Sequence, residues 1–190
     1  MRNFKPILLL LVTLALSACA KEIYDSDADV QKASYVDTSG PKLTLLTMIN
    51  NKNGQGGHTS LVINASERIM YDPAGRWYSS AVPERNDVLF GITPAVLQRY
   101  NSFHARDTHH VVIQEISVTA EVAEMAYRAA VEQGASHDGM CAINTTRLLA
   151  KVPGFESLGT MWSPRRLSEK FGKLPGVKTT RYYETDVGKN

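Results

Sequence analysis

The sequence predicts a single α+β domain, a mainly antiparallel sheet packed against segregated helices. Two apolar, β-tolerant runs, "HTSLVIN" and "ERIMYDP", are separated only by "ASE", which is a hairpin signal. "TAEVAEMAYRAAVEQG" reads as a helix, with Thr119 as cap, Glu121 in the first turn and Gly134 at the end. Strand and helix signals are mixed along one stretch without an internal repeat, which points to one α+β unit.

From Lys42, "KLTLLTMIN" has strand character, and the Asn/Gly-rich "NKNGQGG" that follows is a loop. The hairpin comes next. Residues 74 to 92 look irregular, because Gly75, Pro83 and Gly91 interrupt any period. Thr93-Pro94 fits an N-cap followed by proline at the first helical position, opening "AVLQRYNSFHA". "THHVVIQEISV" is a strand candidate, and the capped helix follows it. A third helix starts near Asp138 and includes Cys141. "SPRRLSEKFG" is a short fourth helix, and "GVKTTRYYET" is a last strand candidate.

The N-terminus sets the expected compartment. Arg2 and Lys5 precede an apolar run from Ile7 to Leu16. About ten residues are too few for a membrane span, which needs about twenty, but they suit a secretory segment. An ordinary signal peptide would be cut after Ala18 or Ala20. The ending Leu16-Ser17-Ala18-Cys19, however, resembles the lipobox of bacterial lipoproteins. That resemblance implies cleavage after residue 18 and diacylation of Cys19, so that acyl chains hold the protein to a membrane. Ala rather than Asp at position 20 implies the outer membrane of the bacterial envelope, facing the periplasm. Residues 19 to 41 are polar and acid-rich and read as a lipidated tether, leaving 42 to 190 as the domain.

Loss of Arg2 and Lys5 reduces the 21 basic residues to 19, matching the 19 acidic ones. A neutral chain with scattered basic residues has no electrostatic footprint for nucleic acid. Acylation of Cys19 leaves Cys141 as the one free thiol of the two cysteines, so no intramolecular disulfide is expected. About 150 residues can bury an adequate core without one.

Asp138 is placed to cap the third helix, putting Gly139, Met140 and Cys141 in its first turn. Unpaired N–H groups and the positive end of the helix dipole favour an anion there, which lowers a thiol pKa and suits a nucleophile. The same donors can hold an oxyanion. Against this, Cys141, Thr145, Leu148 and Val152 follow helical spacing, so Cys141 also begins a core stripe, where free cysteine is common.

A thiolate nucleophile needs a histidine in reach. His58 opens a strand after the Gly-rich loop, where a side chain can face a cleft. His104 ends a polar helix and reads as solvated. His109 and His110 are adjacent on a strand and so point to opposite faces. His137 lies in the loop before the cysteine. His58, His109, His110 and Cys141 have no compact metal-ligand spacing, and no metal or cofactor is expected. Arg76-Trp77-Tyr78 and Trp162 could line a substrate groove or cover a core edge.

"GHTSLVIN", "RIMYDP" and the later "MCAINTTRLL" resemble the circularly permuted branch of the NlpC-type papain-like superfamily, which includes lecithin:retinol acyltransferase-like and PPPDE proteins. There the histidine strand precedes the cysteine helix. The resemblance implies a permuted papain-like fold with Cys141 as nucleophile and His58 as general base. It also implies an orienting residue on the next strand, either Asp72 or Tyr71. Asp72 is the chemically better partner for a ring nitrogen, although Asp72-Pro73 is also ordinary turn chemistry. Many relatives have histidine there, and this chain does not.

The expected function is a membrane-anchored cysteine hydrolase or acyltransferase acting on peptidoglycan peptide bonds or lipid acyl groups. The rival is an inactive envelope module of the same fold that binds or assembles.

Overall fold

The computed structural model describes residues 23–184. The signal segment and Cys19 lie outside the described residues. No described helix is long and apolar enough to cross a membrane.

The architecture is α+β. Among the described residues, seven strands form one sheet in the order β4-β5-β3-β2-β1-β6-β7, and every neighbouring pair is antiparallel. The strands are β1 Lys42–Asn50, β2 Gly56–Asn64, β3 Arg68–Tyr71, β4 Glu84–Arg85, β5 Val88–Leu89, β6 His109–Ser117 and β7 Lys178–Tyr182. The helices are α1 Asp27–Ala33, α2 Pro94–His104, α3 Ala120–Val131, α4 Cys141–Leu149 and α5 Pro164–Phe171.

Both faces of the sheet are covered. Leu43, Leu45, Leu61 and Ile63 pack with α3, α4 and α5 through Ala126, Leu148, Leu167 and Phe171. Leu46, Met48, Val62 and Met70 pack on the opposite face with Trp77, Val96 and Tyr100. Burial on both sides explains why "KLTLLTMIN" runs apolar instead of alternating. The expected segregation of helices holds for α3 to α5, while α2 crosses to the other face.

The expected caps Thr93 and Thr119 each accept a bond from the amide three residues on. Two readings are corrected. Residues 84–89 are not irregular: they form the β4–β5 hairpin, turned by Asn86 (φ 48°) and Asp87 (φ 67°). Asn and Asp tolerate this left-handed pair, the turn that matches strand twist. The segment read as a tether also folds onto the domain from Ile23. The Asn86 amide donates to the Ile23 carbonyl at 3.0 Å, and the Asp25 amide donates to the Glu84 carbonyl at 3.0 Å.

Within that segment Asp37 meets Arg68, which is buried at the start of β3, at 2.7 Å. Removing one partner of this part-buried pair deprives Arg68 of a charged hydrogen-bond partner. Asp37→Ala is therefore expected to destabilise the fold by about 2 kcal/mol in urea unfolding. A change under about 0.5 kcal/mol would show that the segment is not integral to the fold.

Candidate active site

β2 outruns β3. The two pair only over Leu61–Asn64 with Arg68–Tyr71, so the first half of β2 has no strand on that side. α4 packs against β2, and its first residue, Cys141, comes to this gap, where the Thr59 N–H points at the sulfur. His58 is the neighbouring residue on β2. Asp72 is the first residue past β3, where the chain leaves the sheet.

The three side chains form a chain of contacts. His58 Nε2 donates to Asp72 Oδ1 at 2.6 Å. With that nitrogen committed, Nδ1 is the one left to face Cys141, whose charge and the ring's act on each other. Cys141 is 6% exposed and Asp72 is 4% exposed.

Burial sets the charges in opposition and the contacts decide them. Burial lowers His58, but the Asp72 charge and hydrogen bond, followed by those of Cys141, lift the ring to about 10. Burial raises the Cys141 thiol, yet the hydrogen bond and charge of His58 bring it below its ordinary value. The N–H groups of Thr59 and Ala142 add to this. Burial also raises Asp72, and His58 holds it below the ordinary carboxylate value. The arrangement that satisfies all three is thiolate, imidazolium and carboxylate. An imidazolium carries a proton on both nitrogens and can donate to both neighbours.

The helix start is not built as expected. Met140 is the N-cap and makes no side-chain cap bond. Asp138 instead meets Arg76 at 3.2 Å at the surface. Gly139, at φ 76°, takes the left-handed conformation that turns the loop into the helix. The first helical bond runs from the Asn144 amide to the Met140 carbonyl at 2.9 Å. The amides of Cys141, Ala142 and Ile143 consequently have no partner within the helix, which makes the Cys141 end electropositive. The core stripe exists as well: Thr145, Leu148 and Val152 are buried. Cys141 therefore both begins the buried face and contacts histidine.

Asp72, not Tyr71, orients the ring. Tyr71 points to the α4 face, its hydroxyl 3.4 Å from Ser136 Oγ. The turn after Asp72 closes over it, with the Gly75 amide donating to the Asp72 carbonyl at 2.9 Å. A Cβ at Gly75 would collide with the Asp72 carboxylate.

Several contributors were not visible in the sequence. Asp87 accepts from the Ser136 amide at 2.8 Å and from the Ala74 amide at 3.3 Å, tying the Asp72 turn to the loop that leads to Cys141. Asn144 of α4 donates to Ser136 Oγ at 2.8 Å. The dipeptide Asn86-Asp87 is the signal that could have revealed the hairpin behind this clamp. Tyr100 and His104, one turn apart on α2, reach the other side of the site. His104 is not solvated: its ring stacks on His58 with centroids 5.9 Å apart, and Tyr100 and Phe103 flank it. Burial pulls its pKa down.

His109 lies against Gly57, while His110 turns to Asn51 and Tyr183. His137 is exposed. Among the described residues, no group of three or more His, Cys, Asp or Glu is placed to hold a metal ion. Of the expected groove residues, Trp77 is buried against Tyr100, whereas Tyr78 and Trp162 are exposed.

No protein-family model, curated protein or solved structure matches the chain.

Proposed function

We propose that the protein is a cysteine hydrolase or acyltransferase of permuted papain-like fold, acting on an amide or ester carbonyl. The observation that carries this is His58, bonded to Asp72 through Nε2 at 2.6 Å and set beside the Cys141 thiol. The chain order, with the histidine on β2 and the cysteine on the later α4, agrees with the permuted branch. The lipobox-like ending at Cys19 supports anchoring in the bacterial envelope, which makes peptidoglycan peptides and lipid acyl groups the two substrate classes.

In this mechanism the Cys141 thiolate attacks the carbonyl carbon and a C–S bond forms. The charge passes to the carbonyl oxygen, which the amides at the electropositive α4 start would stabilise. As the tetrahedral adduct collapses, the C–N or C–O bond breaks and His58 gives its Nδ1 proton to the leaving group. The neutral ring then takes a proton from water, or from an acceptor amine or alcohol, which attacks the thioester and releases the thiolate. Asp72 holds the ring in place and stabilises its charged form throughout.

An inactive binding module has no need for a charge-matched thiolate, imidazolium and buried carboxylate in contact, so the geometry favours catalysis. Intact-mass spectrometry after mixing with a peptidoglycan-derived peptide or an acyl ester should reveal a transient adduct on Cys141. The adduct should be absent from Cys141→Ala. Neither adduct nor turnover with either class would sink the enzymatic reading.

A further inference from the structure

Resting on the thiolate reading above, we infer that Tyr100 of α2 is a positioning residue for the Cys141–His58 pair. Its hydroxyl holds the Asp72 oxygen that aims His58 at the sulfur. Tyr100 is fully buried. Its hydroxyl hydrogen-bonds Asp72 Oδ1 at 2.7 Å and Ser60 Oγ at 3.0 Å. A phenol has one proton, and a carboxylate is the stronger acceptor, so the proton goes to Asp72 and Ser60 completes the phenol's second contact.

The same Oδ1 atom accepts from His58 Nε2 at 2.6 Å. Two donors from different elements, β2 and α2, thus converge on one oxygen, while Gly75 closes over the carboxylate from the other side. The oxygen cannot rotate away from the ring without breaking both bonds. Trp77 packs edge-on against Tyr100, and His104 donates from Nδ1 to the Tyr100 carbonyl at 2.9 Å, so the phenol is itself held.

The charged and titratable groups facing Asp72 are His58 from β2, Tyr100 and His104 from α2, and Asp87 from the β4–β5 turn. Burial pulls the His104 pKa down, and Asp87 opposes the Asp72 charge. Of these groups, His58 and Tyr100 hydrogen-bond the buried carboxylate. Burial, with the Asp72 charge next, raises the Tyr100 phenol well above its usual value, so it keeps the proton it donates. A hydrogen bond to the charged form of an acid lowers its pKa. Without the Tyr100 bond, Asp72 takes up a proton at higher pH, and His58 loses the charge that lets it sustain the thiolate.

The test is the pH profile of Cys141 alkylation by iodoacetamide in a Cys19→Ser chain, which has one thiol and needs no substrate. Tyr100→Phe keeps the ring and removes the donor. The acid midpoint of alkylation should move up by about one pH unit. A role in packing alone would lower the melting temperature and leave the midpoint where it is. Coincident profiles for the wild type and a folded Y100F would therefore overturn the role of Tyr100 while leaving the thiolate reading intact. An ordinary thiol profile in the wild type would instead remove both. If Y100F does not fold, low-field proton NMR of the wild type replaces it. The Tyr100 Oη–H and His58 Nε2–H signals should be protected from exchange and shift together through the acid transition; a Tyr100 signal that stays fixed overturns the proposal.

Discussion

His58→Ala is expected to slow alkylation of Cys141 at pH 6 by between tenfold and a hundredfold. An ordinary thiol with a pKa near 8.5 is only about 0.3% thiolate at that pH. In the wild type the His58 hydrogen bond and charge outweigh burial and keep the thiol acidic. Deleting the ring leaves burial as the largest influence, and burial raises a thiol. The thiolate fraction at pH 6 then falls, partly offset because a more basic thiolate is intrinsically more nucleophilic. The rise of the profile should also move to higher pH, to at or above the ordinary thiol value. Stopped alkylation with mass detection on the Cys19→Ser background measures both. An unchanged rate at pH 6 would mean that the imidazole does not sustain the thiolate.

Asp72→Asn should lower turnover by about 10²–10⁴-fold against whichever substrate is found. It should also leave a signature in stability. His58 is raised from 6.5 to about 10 in the folded state. Its stabilising contribution is complete below pH 6.5 and disappears as pH rises through about 10. Asp72 is lowered from 3.8, so its contribution is present above that value and disappears as pH falls through the depressed folded value. The stability gap between wild type and Asp72→Asn should therefore be widest between about pH 4 and 6.5. It should amount to about 2–3 kcal/mol there and close toward both extremes. Thermal unfolding across pH 3 to 10.5 reads this directly. A gap independent of pH would assign Asp72 to turn structure alone, the role that Asp72-Pro73 first suggested.

The most legible parts of the fold were those decided within a few residues. Thr93-Pro94 and Thr119 are placed as helix caps by hydrogen bonds three residues long, and both caps form. The hairpin around "ASE" and the apolar β1 follow from β-tolerant side chains that bury themselves. Asp138 failed as a cap because Gly139 turns the chain away and Arg76, 62 residues earlier, meets it instead. The segment before Lys42 read as a tether because it is polar. Its polar groups, however, have partners on the β4–β5 hairpin and on Arg68, which no local pattern reveals.

The site divides along the same line. The sequence by itself determined the residue types and their setting: a lone thiol at a helix start, a histidine opening a strand after a glycine loop, and a carboxylate at the end of the next strand. It left open whether Cys141 was core or nucleophile, and whether Asp72 or Tyr71 oriented the ring. Only the tertiary structure put Asp72 rather than Tyr71 on the His58 ring and brought that ring to Cys141, because ionisation is set by how deeply a group is buried and by which charges touch it. For Asp72 those neighbours are His58, 14 residues away, and Tyr100, 28 residues away. For Cys141 they are His58 and the Thr59 amide, brought from β2 to the start of α4 by the gap where β3 stops.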